Sequence, residues 1–176
     1  MTWTQFDAYD SSNPKDSSFI HFAKSSDDGE TWTDPVRISI KGGDCLDGDD
    51  TVEGAMPALG KEGMLYTVWS GPHGLMLRSS VDRGKTWSPT EQMLFEHEGG
   101  WTIDVPDFYR SNGLPVFISD HNADSPHYGN LYLNWAIENE ETGRTSVLFS
   151  KSEDNGESWS SPVQVLSLIH ISEPTR

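Results

Sequence analysis

One eight-residue pattern occurs three times in this chain of 176 residues, and it limits the fold more than any other feature. The copies are Ser25-Ser26-Asp27-Asp28-Gly29-Glu30-Thr31-Trp32, Ser80-Val81-Asp82-Arg83-Gly84-Lys85-Thr86-Trp87 and Ser152-Glu153-Asp154-Asn155-Gly156-Glu157-Ser158-Trp159. All read Ser-x-Asp-x-Gly-x-Thr/Ser-Trp. A repeated unit dictates a repeated local structure, so the repeat is read first. An alternating apolar run precedes each copy: residues 19–23, 75–78 and 146–149. A proline and a second such run follow, at residues 35–40, 89–95 and 162–166. Strand, box, strand is the pattern of a hairpin.

The chemistry of the box suits a turn. An Asp side chain can accept hydrogen bonds from backbone N–H groups of its own turn. Gly two residues later can take a positive φ without steric cost. The Thr or Ser hydroxyl can close a further local bond, and Trp can bury a large ring beneath the turn. Asp27, Gly29 and Trp32, with Asp82, Gly84, Trp87, Asp154, Gly156 and Trp159, are therefore expected to be scaffold, and the three aspartates are not counted as catalytic acids.

Further strands repeat upstream of each box. Thr2-Trp3-Thr4, Leu65-Tyr66-Thr67-Val68-Trp69 and Leu131-Tyr132-Leu133-Asn134-Trp135 align on their last Trp. Before two of these stand Met56-Pro57-Ala58-Leu59 and Leu114-Pro115-Val116-Phe117. The unit is four antiparallel strands, and such units repeated along a chain suggest the blades of a β-propeller. The boxes resemble the Asp-box (BNR) repeats of the sialidase-like superfamily, over most of residues 1–166. The resemblance implies an all-β fold: a partial propeller of about three four-stranded blades, at residues 1–40, 54–95 and 113–166, from a six-bladed parent. A closed ring of that size needs about twice this length, so the chain is expected to be a piece. Residues 167–176 break the repeat, read as a non-native tail, and are left out of the fold.

Composition narrows the function classes. Twelve Lys+Arg against 28 Asp+Glu give a net charge of −16. Such a chain lacks the clustered cations that nucleic acid or an anionic membrane surface requires. Seven Trp, seven Phe and five Tyr argue for a packed core despite a hydrophobic content of 34%. The single Cys45 excludes an internal disulfide and a cysteine zinc site. No apolar run is long enough to suggest a membrane span.

Connection lengths point to a working end. The box connections are constant, whereas the connection from Trp3 to Ser25 is twice that from Trp69 to Ser80. The connections at residues 41–54 and 96–113 are also long. Insertions gathered at one end mark a binding end, which places the boxes opposite the site. Glu53, Asp104 and Tyr109 are the candidate catalytic residues there. A carboxylate pair facing a cleft could do acid/base work on a glycosidic bond. Arg110, Trp101 and Arg144 are candidates for substrate binding, with Trp101 or Tyr109 able to stack on a sugar ring. Asp107 shares the Asp104 loop. Asp44, Asp47, Asp49 and Asp50 could offer oxygen ligands to Ca²⁺, although EF-hand spacing is absent and a solvated acidic loop is the simpler reading; no other cofactor is expected. His73, His121 and His127 lack zinc-site spacing.

What the resemblance implies for activity is hydrolysis of a terminal sugar from a glycan, with three arginines on the substrate carboxylate, a Tyr nucleophile aided by a Glu, and an Asp as acid/base. Only Arg110 and Arg144 reach the expected working end. The family's Phe-Arg-Ile-Pro motif is absent; Val36-Arg37-Ile38-Ser39 follows a box and does not match it. Two readings stay open: a sialidase-like exo-glycosidase, and a non-catalytic propeller binding glycan or protein. The resemblance also implies an extracytoplasmic location.

Overall fold

The computed structural model describes residues 1–46, 48, 50–97, 103, 105, 111–139 and 144–167. They form eleven strands and one short 3₁₀ turn, Lys61–Gly63. The first sheet holds β1 (Thr2–Phe6), β2 (Ser18–Phe22) and β3 (Val36–Arg37). The second holds β4 (Glu53–Leu59), β5 (Leu65–Ser70), β6 (Leu75–Ser80) and β7 (Gln92–Phe95). The third holds β8 (Val116–Ser119), β9 (Leu131–Asn139), β10 (Arg144–Ser152) and β11 (Val163–Ser167). Each sheet is an antiparallel meander, with sequence neighbours hydrogen-bonded in order.

The alternation of side chains along β5 explains how the sheets meet. Leu65 and Trp69 point to one face of the second sheet, Tyr66 and Val68 to the other. The first pair joins Ile20, Phe22, Ile38, Val52 and Met76 in an apolar layer against the first sheet. The second pair joins Ala58, Leu75, Leu77, Phe117, Leu131, Leu133 and Trp135 in a layer against the third. Every residue of β5 is therefore buried, as expected of a strand covered on both faces. Trp69 is 1% exposed. Thr2 and Thr4 of β1 reach across and donate to the carbonyls of Ala55 and Val52, both at 2.8 Å.

The expected propeller is corrected by this arrangement. The molecule is all-β, but its three antiparallel sheets are separate, and none is closed or curled into a blade arrangement. The physical reason lies in what a repeat can specify. The box fixes a turn and the strand pairs on either side of it. It does not fix the angle between one sheet and the next, which depends on the apolar layers between them.

Candidate functional site

The three boxes share one hydrogen-bond set. Ser25 donates to Asp27 Oδ1 at 2.7 Å and accepts from the Gly29 N–H at 2.8 Å. Ser80 does the same with Asp82 and Gly84, both at 2.8 Å. Ser152 repeats it with Asp154 and Gly156, at 2.8 and 2.9 Å. The aspartate then gathers the end of the turn: Thr31, Thr86 and Ser158 each donate an N–H to its Oδ1 and a hydroxyl to its Oδ2. Asp28, Arg83 and Asn155 take the left-handed conformation just before their glycines, at φ of 57°, 61° and 62°. Hydrogen bonds to the ionised form lower a carboxyl pKa. Asp27 and Asp154 are accordingly lowered to about 2, chiefly by the hydroxyls of Thr31 and Ser158, and Asp82 is held well below the ordinary range by Thr86.

Trp87 and Trp159 pack against the two apolar layers, whereas Trp32 differs from the expectation. The strands after the boxes begin some residues beyond them. Trp32 is 47% exposed and donates its indole N–H to the Gly29 carbonyl at 3.1 Å. Trp87 and Trp159 instead bury that N–H with no partner. An open cleft of about 1400 Å³ lies at this end, between the first two boxes and the 60–63 turn. Lys24, Trp32, Leu59, Arg83 and Tyr128 line it. The boxes thus border a cavity of their own, which the connection lengths did not suggest.

The opposite end carries the long connections. The 7–17 segment is tied to the 38–52 segment by a bridge between Ser11 and Cys45, and Ser18 at the head of β2 bridges to Gly43 of the latter. The Asp10 N–H donates to the Cys45 carbonyl at 2.8 Å. A Cβ on Gly43 would sit 2.2 Å from the Asp50 carbonyl oxygen, so this crossing admits only glycine. Glu53 follows at the head of β4, half-buried and paired in register with Ser70. A bulge between Glu53 and Met56 aims this end of the strand differently from the rest.

Sequence reading missed a partner of Ser70, the residue opposite Glu53. The buried Ser70 hydroxyl lies 3.2 Å from His97 Nδ1, and His97 Nε2 lies 3.3 Å from the Ala136 carbonyl. A carbonyl can only accept, so Nε2 carries the proton, and Nδ1 accepts from Ser70. This joins the end of β5 and the residue just beyond β7 to Ala136 of β9. No spacing motif marks His97; its place just after β7, in a long connection, was the available signal. Ile103 and Ser111 exchange backbone and side-chain hydrogen bonds farther along that connection.

Of the expected site residues, Glu53 is placed at this end. Trp101, Asp104, Asp107, Tyr109 and Arg110 lie outside the described residues, as does the side chain of Arg144. Asp47 and Asp49 also lie outside them. Asp44 accepts the Leu46 N–H at 3.2 Å, a local turn bond. Among the described residues no group of three or more His, Cys, Asp or Glu could hold a metal ion. No helix among them is long and apolar enough to cross a membrane.

No family model and no curated protein matches the chain. Twenty-six chains of known structure do. One is "Hadza microbial sialidase Hz136", similar at 13% identity with a TM-score of 0.47, over 85% of this chain and 34% of that one. The chain spans about a third of that structure's length. The likeness is weak and concerns the fold; propeller closure is not part of what the two are seen to share, and the likeness fixes neither an activity nor a site.

Proposed function

We propose that this chain is part of an extracytoplasmic glycan-directed protein, a sialidase-like exo-glycosidase that removes a terminal sugar at the end opposite the boxes. The thrice-repeated Ser-x-Asp-x-Gly-x-Thr/Ser-Trp box carries this reading, through its resemblance to that superfamily. Glu53 is the proposed acid/base partner. It stands at the head of β4 opposite Ser70, whose hydroxyl contacts His97, where a carboxyl could assist departure or attack at a sugar carbon. Asp104 and Tyr109 are the proposed acid and nucleophile of the same loop end, with Arg110, Arg144 and Trp101 on the substrate.

One observation favours the second reading, a non-catalytic glycan- or protein-binding module. Arg78 is committed to carbonyls of the scaffold, donating to Ser88 and Ile38. Arg83 lies in a box, and Arg37 lies over the Phe19 ring at 4.1 Å. These three arginines are not gathered as a carboxylate clamp needs.

The test is turnover of a fluorogenic sialoside, and of other aryl glycosides, by the full-length protein. The enzyme reading expects turnover that Glu53→Gln lowers by about 100-fold or more, with an unchanged melting temperature. Glycan binding without turnover in wild type would decide for the binding module.

A further inference from the structure

The cleft at the box end gathers cations in a chain that is otherwise acidic. Lys24, Arg83 and Lys85 line it, and among the described residues none of the three pairs with a carboxylate. The chain carries 28 Asp+Glu against 12 Lys+Arg, so three unpaired cations in one place run against its overall charge. Two carboxylates share the lining. Asp82 is committed to its own turn, where it accepts from Ser80, Lys85 and Thr86. Glu62, exposed on the 60–63 turn, is the other.

Local contacts hold the cations in place. Lys24, two residues past β2, donates its ammonium to the Arg83 carbonyl at 2.9 Å. An ammonium has three donors, so this bond does not use it up. The Arg83 side chain is bedded on Gly63, where a Cβ would lie 2.9 Å from Nε. Next to it, Lys61 Nζ lies 5.6 Å from the ring centroid of Tyr128, within cation–π range, and Tyr128 lines the cleft. These groups stand where the sheets already meet, not on the outer face of the first or the third. Gly84 of the second box backs onto Phe22 of the first sheet, and the Lys61 stem packs on Gly129 just before β9.

We propose that this cleft is a second binding site, for a carboxylate-bearing oligosaccharide. Its volume of about 1400 Å³ exceeds the roughly 300–1,000 Å³ of a pocket for one small molecule, which suits a chain of several sugars. The Arg83 fork matches a carboxylate with two parallel bonds, and Lys24 and Lys85 are point charges for the neighbouring units. Leu59 and Val81, 62% and 74% exposed, meet the apolar faces of the sugar rings. The choice of a glycan over an acidic peptide rests on the glycan-directed reading above, whereas the cations and the cleft stand without it.

Calorimetric titration of the purified chain with a tetragalacturonate, at low and high salt, tests this. Wild type is expected to bind it, with an affinity that falls as salt rises, and to ignore its methyl ester, which keeps the rings and lacks the charge. Arg83→Asn with Lys85→Gln is expected to weaken binding by about tenfold or more. Asn155 already holds the matching left-handed position in the third box, so the turn is kept. Lys15→Gln, on the 7–17 connection at the opposite end, removes one charge and should change nothing. Near-UV circular dichroism checks folding, and Lys85→Gln alone, on an exposed side chain, replaces the pair if it unfolds, with a smaller loss in the same direction. No binding by wild type, equal binding of the ester, an equal loss in Lys15→Gln, or binding of tetraglutamate in place of the uronate overturns the proposal. Turnover of aryl glycosides is read separately. A protein that binds the uronate without turnover keeps this site and loses the exo-glycosidase reading, and one that turns over glycosides but ignores the uronate does the reverse.

Discussion

The boxes at 25–32 and 80–87 share five of eight residues and one set of Ser, Asp and Thr hydrogen bonds, yet they sit in different surroundings. Trp32 lies half in solvent, closing a bond within its own turn. Trp87 packs edge-on against Phe22 at 5.2 Å and leaves its N–H unpartnered. A Cβ on Gly29 would meet only Trp32, at 4.0 Å, while one on Gly84 would meet the Phe22 ring at 2.6 Å. The first box is a self-contained turn. The second is also a packing element between the first and second sheets. A motif therefore specifies its own hydrogen bonds, and tertiary context decides what the motif stabilises.

That contrast can be broken by experiment, and the glycines give the largest effect. Both take positive φ, 93° at Gly29 and 79° at Gly84, so Ala at either site is expected to cost about 1 kcal/mol for the left-handed backbone. Gly84→Ala must also displace the Phe22 ring, bringing its cost to about 3 kcal/mol. Chemical denaturation of the two variants reads the gap. Equal losses would mean that the second box is as independent as the first.

The tryptophans sharpen the same point at a smaller scale. Trp87→Ala is expected to cost about 2 to 3 kcal/mol, since it empties space beside Phe22. Trp32→Ala should cost about 1 kcal/mol or less, because half of that ring is already in water. Trp87→Phe is the finer probe. It removes a buried N–H that has no partner, so it should recover a large part of the loss.

Acid should erase what the boxes have in common. Their carboxyls ionise more readily in the folded chain than in the unfolded one, where the ordinary value is 3.8. Their contribution is therefore complete above about pH 4 and is lost as pH falls toward about 2. Thermal melts stepped through that window should show a steep decline. Replacing Asp27, Asp82 and Asp154 together by Asn should lower stability at neutral pH and flatten the decline.

The sequence showed the turns and strands far better than their assembly. Gln92–Phe95 is a strand over the residues read from the repeat, and β5 ends at Ser70, one residue past the predicted Trp69. These features are local: alternation, a turn aspartate and a glycine suffice. The relation between sheets was overread, because Tyr66 and Tyr132 look alike in sequence although one is covered and the other is not. The exposure of Trp32 was missed for the same reason. At the loop end, the sequence set Glu53 beside a strand, and it is the first residue of β4. The Ser70–His97 contact was not, because it depends on a long connection returning beside β9.

Cys45 gives this chain a built-in reporter. Its thiol is fully buried, and its backbone bridges to Ser11 hold the two long connections together. A thiol in that position reacts with an aromatic disulfide reagent only when the crossing opens. Labelling kinetics would thus time the breathing of the end that carries Glu53. A ligand bound there should slow the labelling, and one bound at the box-end cleft should leave it unchanged.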